Sequence, residues 1–343
     1  MSSRKKTTTR EPTTARHPQL YFPDGDIVLS ASKRVYDSEH NATTTVVLFR
    51  VYEAVLTYHS QVLQDLLSNL SAKEARETYD GVLRVNLPDH ADDLEALLGA
   101  LYNLSMLRLD PLDPNLPLLV QGTLILANKY QVTTVTKAIC ACLMEAWPRT
   151  VGEWDSRQNL ISYTAEECKR DRNGKTLGKY LNELFSEPGS ALGLALKCAV
   201  PEIIPAAMYQ LALIDPENNW DNMPEQKLRA GARGARWDCV PKSALLCVMR
   251  GRERLLKAQS RQLNTNFTRA KDCNSDCCDD SWSLEAVKLR TIDVLAEMKL
   301  VEKKIWAVSD ICQRCRFHAV AVMRARREAY WAALTKLFEL NTL

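Results

Sequence analysis

Two groups of cysteines stand in the last quarter of the chain, Cys273-Asn-Ser-Asp-Cys-Cys278 and Cys312-Gln-Arg-Cys315. A tetrahedral zinc ion held by protein alone takes four ligands, commonly as two close pairs far apart in sequence. The spacing therefore points to a structural zinc site on Cys273, Cys278, Cys312 and Cys315. Cys277 could replace Cys278, and His318, one helical turn after Cys315, could stand in as a donor. Asp272, Asp276, Asp279 and Asp280 make the first group an exposed loop, where thiols without a ligand are uncommon. The competing reading is two unrelated groups of reduced thiols. A redox pair at Cys312 and Cys315 would lack the strand–helix–strand surroundings of thioredoxin-like proteins.

Little else in the sequence has the spacing of a reactive centre. The five histidines, His17, His40, His59, His90 and His318, are scattered. There is no G-x-S-x-G elbow, H-E-x-x-H pair, phosphate-binding loop or dinucleotide fingerprint. Asn173-Gly-Lys-Thr176 contains Gly-Lys-Thr but lacks the first glycine of a phosphate loop and a preceding apolar strand, so it reads as a turn. These absences favour a binding protein over an enzyme. An enzyme would have to use a helical site without a motif.

The balance of charges narrows the class further. The chain has 343 residues, 46% hydrophobic and 25% charged, with a formal net charge of +3. It is long enough for two domains, and the small positive excess argues against a dedicated nucleic-acid binder. Arg314, Arg316, Arg324, Arg326 and Arg327 read as a solvated helix face, with Trp306, Phe317, Trp331 and Phe338 as core. The N-terminus shows no apolar leader. The most apolar stretch, Ser190 to Ile214, carries Lys197, Glu202 and Gln210 and is broken by Pro201 and Pro205, so it reads as two buried helices and no membrane span. Eleven cysteines, an odd number, without a leader fit an intracellular protein of the cytoplasm or nucleus whose thiols stay reduced.

The elements that must position these groups follow from periodicity. Residues 1–18 are basic and nearly free of apolar side chains, so a disordered tail is expected. Asp26–Ala31 and Val46–Val51 read as strands, separated by a polar loop from Ser32 to Thr45. Val55, Leu56, Val62, Leu63, Leu66 and Leu67 form an apolar stripe over two short helices, with Ser60 placed to cap the second. Val82–Leu87 is a third strand, and a helix lined by Leu94, Leu97, Leu98 and Leu101 follows. Pro117 opens a helix with Leu118, Leu119, Leu124, Ile125 and Leu126 in its apolar set, and another runs from about Val132 to Trp147. Residues 148–343 read as helical, with helices near 188–199, 202–214, 241–265, 282–304 and 316–339 and a polar loop over 216–238.

This order of elements resembles the BTB/POZ domain. The segments that carry the resemblance are Asp24-Gly-Asp-Ile-Val-Leu29, Phe49-Arg-Val-Tyr-Glu-Ala-Val-Leu-Thr-Tyr-His-Ser60, and Val82-Leu-Arg-Val-Asn-Leu-Pro-Asp89 leading into Leu94-Glu-Ala-Leu-Leu-Gly-Ala-Leu-Tyr102. The family's usual histidine in the second strand is Tyr52 here. Later segments, Glu153-Trp-Asp155, Arg250-Gly-Arg-Glu253 and the C-x-x-C pair with the helix after it, are similar to long BTB proteins of mushroom-forming fungi. The resemblance implies an α+β BTB/POZ-like domain over 19–147, a small sheet with a helical cluster, followed by an all-α extension over 148–343. It also implies a non-enzymatic adaptor that binds protein partners and self-associates as a homodimer. Recruitment of a cullin-type ubiquitin ligase scaffold is a further role found in the family. A transcription-linked regulator touching DNA through the basic tail or the helical region is the alternative.

Overall fold

The computed structural model describes residues 13–36, 42–71, 77–262, 266–273, 281–284 and 292–340. They divide into two compact units, one within Met1–Asp110 and Leu118–Cys142, the other within Pro111–Pro117 and Leu143–Leu343. The second boundary thus falls five residues before the Trp147 expected from sequence, and a short proline-bearing segment joins the helical unit.

The first unit is built on a five-stranded sheet in the order β1-β3-β2-β5-β4. Its strands are β1 (Thr13–Tyr21), β2 (Ile27–Tyr36), β3 (Ala42–Val51), β4 (Thr78–Tyr79) and β5 (Val82–His90). Helices α1 (Glu53–His59) and α2 (Gln61–Ser71) connect β3 to β4, and α3 (Ala91–Tyr102) follows β5. Next come α4 (Leu116–Lys129) and α5 (Thr133–Ala146). Ile27, Val28, Leu29 and Ala31 are all buried, as a strand covered on both faces requires. β2 pairs antiparallel with β3 and parallel with β5, the crossover running through α1 and α2. The Ser60 hydroxyl accepts the Leu63 N–H at 3.0 Å, capping α2 as its position suggested.

Two expectations for this unit need correction. Thr13 to Pro18 belong to β1, a strand parallel to β3, so the tail expected over 1–18 does not reach Pro18; residues 1–12 lie outside the described region. Composition misleads here because an edge strand is held by main-chain hydrogen bonds and needs few apolar side chains. His17 stacks on Phe49 at 5.1 Å, and its Nδ1 accepts the Leu20 N–H at 2.9 Å. Pro18, which cannot donate, sits where the β1 register shifts. The loop expected over Ser32–Thr45 is mostly ladder: pairing continues to Tyr36 opposite Ala42. On α4, Leu118 and Leu119 face outward, while Val120 and Leu124 are buried.

The second unit contains α6 (Val151–Arg170), α7 (Pro188–Cys198), α8 (Ile204–Leu213), α9 (Glu225–Arg229), α10 (Lys242–Gln262), α11 (Val294–Ala307), α12 (Gln313–Ala332) and α13 (Leu334–Leu337). It is not all-α. β6 (Lys175–Thr176) pairs with β7 (Lys179–Tyr180) around Leu177 and Gly178, whose φ values of 52° and 75° suit a tight hairpin turn. β8 (Asn266–Thr268) pairs with β9 (Ser281–Ser283), so the helix expected from 282 begins only at Val294. The polar stretch 216–238 holds the short α9. Ser190–Ile214 is two helices broken at Pro201, and no helix of the described residues is long and apolar enough to cross a membrane.

Trp147, Trp154, Tyr209 and Phe338 are the largest buried side chains of this unit. Trp306 and Phe317, expected in the core, are 42% and 54% exposed and pack edge-on against each other. Arg327, expected on a solvated face, is 4% exposed and paired through both Nη atoms with Asp155 at 2.9 and 2.6 Å.

Candidate metal centre

The chain brings the first thiol into place with the β8–β9 pair. The Phe267 and Trp282 rings pack across it, tilted, with centroids 4.7 Å apart. A turn then closes with the Cys273 N–H donating to the Ala270 carbonyl at 3.0 Å. The other two thiols come from the start of α12. Cys312 is its N-cap residue and Cys315 lies in its first turn. Ala270, Cys273, Ile311 and Cys315 form one buried cluster, against which Trp282, Val308 and Cys312 pack.

The Sγ atoms of Cys273, Cys312 and Cys315 lie within 4.8 Å of one another. The Cys273 and Cys312 sulfurs are 3.5 Å apart. A tetrahedral ion with metal–sulfur bonds of about 2.3 Å separates its sulfurs by about 3.8 Å, inside that span. Two main-chain N–H groups point at the sulfurs. Ala270 donates to Cys315 Sγ at 3.4 Å, and Cys315 donates to Cys312 Sγ at 3.5 Å. Cys315 is fully buried and Cys273 nearly so. The donor set is soft and excludes the oxygen-rich coordination of calcium or magnesium. These three thiols could hold a metal ion.

The structure thus converges three of the four cysteines chosen from spacing. Cys277 and Cys278 lie outside the described residues. His318 sits on α12, partly buried, and is not among the converging donors. Sequence spacing could not reveal the Ala270 N–H, which reaches Cys315 only because of the turn after β8. The described histidines stand on separate elements: His17 on β1, His59 ending α1, His90 before α3 and His318 on α12.

Other buried polar groups of the helical unit tie its segments together. The Tyr209 hydroxyl donates to Asp293 at 2.9 Å and accepts the Leu295 N–H at 3.2 Å. Burial pushes the Asp293 carboxyl above its ordinary value, despite the bonds it accepts from Ala296 and Tyr209. The Glu187 carboxylate, fully buried, accepts the N–H groups of Gly189, Ser190 and Arg236. No family model and no curated protein matches the chain.

Proposed function

We propose that this chain is a non-enzymatic adaptor of the cell interior, with a BTB/POZ-like domain as its protein-docking and self-association unit and a structural zinc ion in its helical unit. The observation that supports the docking role is the connectivity of the sheet. A β2–β3 hairpin is followed by two helices and then by β5, which returns parallel to β2 and leads into α3. That order of strands and helices is the one that carries the sequence resemblance. Light scattering of the full chain at micromolar concentration tests self-association. A dimer is expected, and a clean monomer would overturn that part of the reading.

The zinc part is supported by the converging thiols of Cys273, Cys312 and Cys315 and by the two N–H groups aimed at them. In this position an ion would pin the turn after β8 to the start of α12. Elemental analysis of full-length protein purified without chelator is expected to find about one equivalent of zinc for a single tetrahedral site. Cys312→Ser and Cys315→Ser should each lower it to a trace. Protein that carries only a trace before any substitution would end the zinc reading.

A further inference from the structure

Arg157 and Arg233 form a pair of like charges inside the helical unit. Their guanidinium groups each donate to one carbonyl, that of Ser186, at 3.4 Å. Arg157 also donates to the Ala146 carbonyl and lies over the Trp147 ring at 4.4 Å. Arg233 lies over the Phe185 ring at 5.8 Å. The Nε atoms of both are sealed from solvent, without a hydrogen-bond partner among the described residues. Glu187 lends Arg233 a compensating charge, whereas the charge acting on Arg157 is that of Arg233, which with burial disfavours its cationic form. An arginine does not deprotonate in practice, so an enclosed guanidinium lacking an acid is a standing cost that an anion relieves.

Arg157 opens onto a cleft of about 590 Å³, within the usual range for small-ligand sites. Leu112, Met144 and Leu160 give it open apolar walls, and Trp147 and Phe185 lie buried behind them. Glu145 and Glu153 also border the cleft, both on its exposed rim. Glu153 is engaged there by the Arg149 N–H at 2.6 Å. Arg149 lines the cleft as well, on the exposed rim with the two acids, so Arg157 is the inner cation. A cation set behind apolar walls is complementary to an anion on an apolar body. We propose that this cleft binds a small organic carboxylate, its charge paired with the Arg157 guanidinium and its apolar body lying on Leu112, Met144 and Leu160. The proposal is independent of the metal centre and of self-association.

Isothermal titration of the full chain with octanoate, octanamide and acetate tests it. Saturable octanoate binding is expected, with octanamide and acetate each at least about tenfold weaker, since a hydrogen-bonded charge and a buried alkyl chain are each worth that factor. Arg157→Met should weaken octanoate by about tenfold or more. Leu160 is 47% exposed and one turn from Arg157 on the same face of α6, so Leu160→Glu should fold normally and repel the carboxylate. It decides the matter if Arg157→Met fails to fold. Absence of octanoate binding, equal binding of octanamide, or unchanged affinity in Leu160→Glu would overturn the proposal.

Discussion

At the scale of single residues, Arg327 and Asp155 are charges of the helical unit taken out of water as a matched pair. Arg327 exposes 5% of its side chain and Asp155 exposes 23%, with both Nη atoms bonded to the carboxylate. Removing one partner of such a pair costs about 3–5 kcal/mol, because the other is left buried and uncompensated. Glu302 still stands 3.9 Å from Arg327, so Asp155→Ala belongs at the lower end, about 3 kcal/mol. Urea titration followed by circular dichroism reads this directly, and a loss under about 1 kcal/mol would mean the pair behaves as a surface bridge. Asp293 makes a different prediction because its carboxyl is raised by burial. The folded state then keeps a proton that the unfolded chain has already released. Stability contributed by this group is full below the unfolded value of 3.8 and declines as pH rises through the higher folded value. Asp293→Asn keeps an acceptor for Tyr209 and Ala296 without the titration. Its stability relative to the parent should therefore rise across that window; parallel stability curves would exclude the effect.

At the scale of elements, the legible parts were those whose side chains alternate or repeat. Ile27–Ala31, Val82–Leu87 and the leucines of α3 announce themselves by apolar pattern. β1 does not, because its stability comes from pairing with β3. α6 lies in a stretch that reads as helical, but its bounds are not marked by apolar pattern, because its buried side chains are only Val151, Trp154, Ile161 and Cys168, spread over 20 residues. The candidate metal centre is half legible in the sequence. The C-x-x-C spacing and Cys273 are visible in sequence, whereas the N–H donors exist only once the turns have formed. Gly251 shows how one position can set the approach of two elements. A Cβ there would lie 2.1 Å from the Phe338 ring, which is fully buried. Alanine normally stabilises a helix interior over glycine by about 1 kcal/mol. Overpacking a filled core costs about 1–3 kcal/mol, and a buried ring has little room to give, so the clash should win. Gly251→Ala is expected to lose about 1–2 kcal/mol net in chemical denaturation, and Phe338→Leu in the same chain should recover part of it. A stabilised Gly251→Ala protein would show that α10 and α13 have slack at this contact.

At the scale of the whole molecule, the distribution of tryptophan provides a reporter for one unit. All seven tryptophans lie at or beyond Trp147, and the sheet-bearing unit ends at Cys142. Tryptophan fluorescence therefore follows the helical unit alone. Trp282 packs directly on the thiol cluster, so emission should also respond to a metal bound there. An ion that binds the folded state and not the unfolded chain adds about 2.7 kcal/mol when present at a hundred times its dissociation constant. For a unit of this size that corresponds to a fall of about 5–10 °C in the fluorescence-detected melting temperature when the ion is stripped. A strong chelator should produce that fall in the full-length protein, and added zinc should reverse it. Cys315→Ser should melt near the stripped value and ignore both reagents, because its sulfur is the most deeply buried of the three. If chelator leaves the parent's melting temperature where it was while elemental analysis still finds zinc, the ion is bound elsewhere. The thiol cluster would then be a reduced apolar contact between the turn after β8 and the start of α12.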